Sequence, residues 1–124
     1  FLARTVDVQI DRPLGCRHPK HENLIYSVNY GFVPGTKSPD GEEIDAYVLG
    51  VDRPLKEFRG RCIAVIKRCE DSDDKLIVVP EGESYSDQEI RVATDFQERF
   101  FKSIILRHTE GEPGEGCNGI SRRC

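Results

Sequence analysis

The chain has 124 residues, 32% of them charged, with 22 Asp and Glu against 18 Lys and Arg and a net charge of −4. That length holds one domain with a core of its own. The acid surplus is not that of a general nucleic-acid binder, and no apolar run approaches the ~20 residues of a membrane-spanning helix.

The segment Thr5-Val6-Asp7-Val8-Gln9-Ile10 alternates polar and apolar, as a half-buried strand does. No Met occurs in the sequence. Phe1 is therefore not expected to be the natural start, and no signal peptide is expected ahead of the strand. Arg12-Pro13-Leu14-Gly15 ends the strand, and the basic stretch Cys16 to Glu22 reads as loop. Leu24 to Phe32 is rich in aromatic and β-branched residues and reads as extended chain. Turns follow at Val33-Pro34-Gly35 and Ser38-Pro39-Asp40-Gly41. Ile44 to Val51, Arg61 to Lys67 and Lys75 to Val79 read as buried strands, the last stopped by Pro80. Ser86-Asp87-Gln88-Glu89 is a capping box. The apolar positions Ile90, Ala93, Phe96, Phe100, Phe101, Ile104 and Ile105 then extend the expected helix from about Asp87 to about Arg107. Ile10-Asp11-Arg12-Pro13-Leu14 and Val51-Asp52-Arg53-Pro54-Leu55 are similar pentapeptides, too short for a repeat protein, and both look like strand ends turning at proline. Short strands with one late helix predict a mainly β fold, a small barrel packed against that helix. The domain is expected over residues 1–107, with 108–124 a Gly-rich tail.

The five cysteines, Cys16, Cys62, Cys69, Cys117 and Cys124, are odd in number and contain no C-x-x-C. Reduced thiols in a cytoplasmic protein are expected. Spacing leaves a Cys117–Cys124 pair open.

Asp40-Gly41-Glu42-Glu43-Ile44-Asp45 concentrates four carboxylates just before a buried strand. Glu43 reads as solvated. Asp45 does not, because apolar chain follows it and a buried carboxylate is costly without a partner. A hard divalent cation such as Mg²⁺, which takes oxygen ligands and keeps waters for substrate phosphates, fits that position. The second cluster, Glu70-Asp71-Ser72-Asp73-Asp74, is by itself an ordinary polar turn. Its weight comes from Lys75, Lys102, Tyr30 and the basic stretch Arg17 to His21, which supply donors for phosphate.

Val28-Asn29-Tyr30-Gly31-Phe32-Val33-Pro34-Gly35-Thr36 followed by Asp40 to Asp45 resembles the core of the soluble family I inorganic pyrophosphatases, whose signature reads Asp-(Gly/Ser)-Asp-(Pro/Glu)-hydrophobic-Asp. The similarity continues through Val65-Ile66-Lys67 and Asp73 to Pro80, and spans roughly residues 5 to 107. The resemblance implies an OB-like five-stranded β-barrel with a C-terminal helix packed against it. It implies Mg²⁺-dependent hydrolysis of pyrophosphate by several metal ions, with Mn²⁺ as an alternative, in a cytoplasmic enzyme acting on a small molecule. Neither nucleic acid nor membrane is expected as a partner; a homo-oligomer is compatible with it. Asp40, Glu42, Asp45, Glu70 and Asp73 are the implied metal ligands, with Asp71 a rival for Glu70. Glu42, Asp45 and Tyr30 form the implied catalytic group. Tyr30, Lys75 and Lys102 match phosphate-binding positions, and Arg17 and Lys20 are expected to join them. Three departures stand out. Glu42 occupies a position usually held by Asp, and Phe101 one usually held by Tyr. The stretch that normally supplies a Glu, a Lys and an Arg does not align, leaving Arg12, Arg17 or Lys20 as substitutes. These departures keep two alternatives open: hydrolysis of another phosphoanhydride, such as a nucleotide or short polyphosphate, and a non-catalytic phosphate- or metal-binding module.

Overall fold

A computed structural model describes residues 2–20, 23–37, 41–69 and 74–107. Strands β1 (Thr5–Arg12), β2 (Asn29–Val33), β3 (Ile44–Val48), β4 (Glu57–Arg68) and β5 (Asp74–Val79) precede helix α1 (Asp87–Glu98) and strand β6 (Ser103–Arg107). The sheet runs β1-β2-β3-β5-β4-β6, and β1 also pairs with β4. That pairing closes the first five strands into a barrel, as expected. The long strand β4 serves two purposes on one edge. Glu57 to Arg61 pair with β1, and Ala64 to Arg68 pair with β6.

Alternation along the strands makes two apolar layers. Val6, Val8, Ile10, Ile44, Ala46, Val48, Leu76 and Val78 belong to one cluster, the barrel interior. The intervening residues Tyr47, Ile77 and Val79 face outward, where they join Tyr26, Tyr30 and Ile90 of α1 in a second cluster. Asp45 and Lys75 share the outward phase of Tyr47 and Ile77. The charged groups therefore lie on the barrel's outer wall, beside the helix.

Two contacts set the strand geometry. A Cβ on Gly31 would meet Gln9 O at 1.9 Å, so only glycine lets β2 approach β1 so closely. Asn29, fully buried, accepts from Leu14 N and Leu55 N, both at 3.0 Å, and donates to Arg53 O at 2.9 Å. The two similar pentapeptides thus end in turns tied to one amide side chain.

The helix is shorter than its periodicity suggested. The capping box is present, with Ser86 Oγ accepting from Glu89 N and Glu89 from Ser86 N. Arg99 is the C-cap, and Phe101 N turns back to Glu98 O. Ser103 to Arg107 then form β6 on the edge β4 offers. Pairing a β-branched run with an available edge outweighs continuing a helical stripe. Phe100, expected inside, is 65% exposed. Leu24 to Phe32 is also corrected: the regular strand begins at Asn29, and the earlier part contributes an isolated bridge between Arg17 and Ile25. Cys16 and Cys62 are free thiols, whereas Cys69 is disulfide-bonded, against the expectation of reduced cysteines. No helix among the described residues is long and apolar enough to cross a membrane. The Gly-rich stretch 108–124 lies outside the described residues.

Candidate active site

A cleft of about 740 Å³ opens on the outer wall where β1, β2, β3 and β5 meet the end of α1. Its polar end is built by register. Asp45 on β3 lies opposite Lys75 on the parallel strand β5, and Tyr30 reaches them from β2. Lys75 Nζ donates to Asp45 Oδ2 at 2.6 Å and to Tyr30 OH at 2.8 Å, and Tyr30 OH donates to the same Oδ2 at 2.9 Å. Burial, and then the Asp45 charge, push the Tyr30 phenol well above its ordinary range, so it stays a donor. Lys75 is 3% exposed and its charge is met by Asp45.

The end of β1 supplies two more groups. The register against β2 slips between Ile10 and Arg12, leaving Asp11 as the extra residue of a bulge. A bulge re-aims side chains, and here both Asp11 and Arg12 line the cleft. Partial desolvation raises the Asp11 carboxyl, Arg12 opposes that shift, and the Asp45 charge adds to it. Arg12 Nη1 donates to Asp11 O at 3.1 Å.

A buried network braces the wall behind the site. Tyr26 OH donates to Gln97 Oε1 (2.9 Å), Gln97 Nε2 to Tyr47 OH (2.7 Å), and Tyr47 OH to Glu98 Oε2 (2.6 Å). Arg68 grips both oxygens of Glu98, at 3.1 and 2.8 Å, and its guanidinium lies 3.7 Å over the Phe101 ring. Burial, and then Glu98, raise the Tyr47 phenol well above its ordinary range. These bonds join α1 to β3 and β4 beside the cleft.

The expected residues divide clearly. Tyr30, Asp45 and Lys75 come together. Arg17, Lys20 and Lys102 are exposed and do not line the cleft. Glu42 is exposed on the bend before β3 and is also absent from the lining. Asp40, Glu70 and Asp73 lie outside the described residues. Among the described residues, the cations on the wall besides Lys75 are Arg12, Arg68 and Arg99. Asp11, Arg68, Glu98 and Arg99 were not expected. Asp11 had a faint signal, an acid at a strand end before proline. The Arg68–Glu98 pair joins positions 30 residues apart and left none.

Among the described residues no three His, Cys, Asp or Glu side chains converge to hold a metal ion. The donor chemistry nonetheless suits a hard cation. Both bonds to Asp45 fall on Oδ2, leaving Oδ1 and the Asp11 carboxylate as oxygen donors in the cleft. At the start of β5, Asp74 Oδ1 is buried without a hydrogen-bond partner, with Lys67 Nζ 4.0 Å away.

The family model for inorganic pyrophosphatase matches residues 8–108. The chain belongs to the inorganic pyrophosphatase family. It is 32% identical over 81 residues to an inorganic pyrophosphatase of Neisseria meningitidis, covering 61% of this chain and 45% of that protein. With one from Halobacterium salinarum it shares 36% over 83 residues, or 62% and 47% of the two chains. It thus spans about half the length of these curated relatives. A Corynebacterium efficiens inorganic pyrophosphatase matches at 26% over 135 aligned positions, covering 93% of this chain and 85% of the other. The solved inorganic pyrophosphatase of Ehrlichia chaffeensis superposes with a TM-score of 0.61 at 18% identity, covering 83% and 85% of the two chains. That of Coxiella burnetii gives 0.59 at 20%, covering 86% of each. At such identities the structural likeness shows the shared pyrophosphatase fold.

Proposed function

We propose that this chain hydrolyses inorganic pyrophosphate to two phosphates with Mg²⁺. The observation that carries the reading is the Tyr30–Asp45–Lys75 cluster, a carboxylate with an open oxygen beside an ammonium and a phenol, all lining one cleft. Asp45 would hold the metal through Oδ1, with Asp11 beside it. Asp40, Glu70 and Asp73, the further ligands implied by the sequence, lie outside the described residues. Bound there, the cation would lower the pKa of an attacking water and offset phosphate charge. Lys75 and Arg12 would neutralise the phosphate oxygens as the leaving group gains charge. Tyr30, kept neutral by burial, fixes the Asp45 carboxylate through Oδ2, and the bonds from Tyr30 and Lys75 leave Oδ1 unused. Glu42, exposed and off the cleft wall, is less well supported as the water-activating acid than Asp45 with Asp11.

The test is phosphate release from pyrophosphate, with and without Mg²⁺, for the parent and Asp45→Asn. The parent is expected to require the cation. The variant is expected to lose turnover and to bind Mg²⁺ more weakly by calorimetry, while circular dichroism stays that of the parent. A folded Asp45→Asn protein with parental turnover at limiting Mg²⁺ removes Asp45 from the site.

A further inference from the structure

The cleft's volume of about 740 Å³ falls in the range that encloses a drug-sized molecule. Its lining also joins two kinds of chemistry. Asp45, Lys75 and Tyr30 form the polar cluster. The turn that follows α1 adds Arg99, Phe100 and Phe101 to the same wall.

That turn is held firmly. Phe101 lies beneath the Arg68 guanidinium, which is locked to buried Glu98, and Phe101 N bonds back to Glu98 O. Phe100 is left presenting its ring outward at 65% exposure, with the Arg99 guanidinium 5.4 Å from the ring centroid. An exposed aromatic with an adjoining guanidinium is a stacking surface for a nucleobase, and such stacking tolerates any base. Arg12 lines the cleft as well. No carboxylate among the described residues lies within ion-pair distance of Arg12, and its guanidinium bonds to the Asp11 carbonyl. A cleft guanidinium without a carboxylate partner is suited to a phosphate oxygen.

We propose that the cleft accepts nucleoside triphosphates, with the phosphates against Lys75 and Arg12 and the base on the Phe100–Arg99 ledge. This deepens the phosphoanhydride reading above and rests on it. The chemistry is the same hydrolysis. A water oxygen bonds to the terminal phosphorus, and the bond from that phosphorus to its bridging oxygen breaks. Inorganic phosphate, nucleoside diphosphate and a proton leave.

Binding separates the two claims. Calorimetry with Mg²⁺ would compare imidodiphosphate, imidotriphosphate and adenosine β,γ-imidotriphosphate on the parent and on Phe100→Ala. Phe100 is exposed, so the variant is expected to fold as the parent does. The parent should bind the nucleotide analogue more tightly than imidotriphosphate. Phe100→Ala should weaken the nucleotide analogue on the order of tenfold and leave imidodiphosphate unchanged, while Phe100→Tyr keeps parental affinity for both. If imidodiphosphate binds but the nucleoside adds no affinity, or if Phe100→Ala weakens all three alike, the ledge is not a base site and this inference is overturned alone. If none of the three binds the parent, the phosphoanhydride reading fails and takes the inference with it.

Discussion

Replacing Arg68 with Met should be among the most damaging single changes in the protein, although the residue resembles a routine surface arginine in the sequence. Arg68 and Glu98 have side chains 7% and 5% exposed, and two hydrogen bonds of 3.1 and 2.8 Å join them. At that burial solvent screens little of the interaction. Met fills much of the arginine stem's volume but leaves Glu98 as a buried charge with Tyr47 OH and no cation at its oxygens. Stranding one partner of such a pair costs about 3–5 kcal/mol. A domain of this size has roughly 5–15 kcal/mol in total. Urea denaturation of Arg68→Met should therefore show a midpoint far below the parent's. The double variant Arg68→Met/Glu98→Leu should recover part of the loss, because an apolar pair of similar size removes the stranded charge, although it leaves the buried Tyr47 hydroxyl without its acceptor. A single variant that loses less than about 1 kcal/mol, or a double variant no better than the single, would refute the premise that a buried charge, not lost packing, sets the cost.

Gly31→Ala should destabilise by about 3 kcal/mol or more in the same assay, because the new Cβ meets backbone atoms of Gln9 and Ile10 at 1.9–2.8 Å that cannot rotate aside. Asn29→Ala should cost on the order of 2–4 kcal/mol, since it orphans the Leu14 and Leu55 amides together, and a loss under about 1 kcal/mol would show that neither turn depends on the clamp. Glu42→Asp should change phosphate release from pyrophosphate by less than about tenfold, or ~1.4 kcal/mol of barrier, because the side chain is exposed and off the cleft wall. A larger loss would place that carboxylate at the reacting water.

Local signals carried most of the fold. The alternation Val6, Val8, Ile10 announced β1, and Ser86 with Glu89 announced the start of α1. The end of α1 was hidden because Phe100, Phe101, Ile104 and Ile105 satisfy a helical period while the last two also suit a strand. The choice is made by the edge of β4, which no local window contains. The same limit explains the site. Tyr30, Asp45 and Lys75 are legible in short motifs, each within its own strand. Asp11 and Arg12 reach the cleft through a bulge, a register slip with no composition of its own. Arg17 and Lys20 stand out by charge and Lys102 by its match to the family, and neither a charge nor a motif match determines which wall a side chain faces.

The similar pentapeptides acquire a meaning that sequence alone denied them. Asp11-Arg12-Pro13-Leu14 and Asp52-Arg53-Pro54-Leu55 end in turns whose Leu amides share Asn29 Oδ1. The two copies nevertheless do different things. Asp52 and Arg53 are exposed and absent from the cleft, whereas Asp11 and Arg12 line it. The difference arises one step before the turn, where the first copy ends a strand with a bulge against β2 and the second follows β3 as irregular chain. A shared turn therefore fixes backbone direction, while the pairing before it decides whether the acid and the guanidinium reach the site. Asn29 and Tyr30 are adjacent on β2. The residue that clamps the turns is thus also the neighbour of the phenol that aims Asp45, and loosening the clamp should disturb the site's geometry along with its stability.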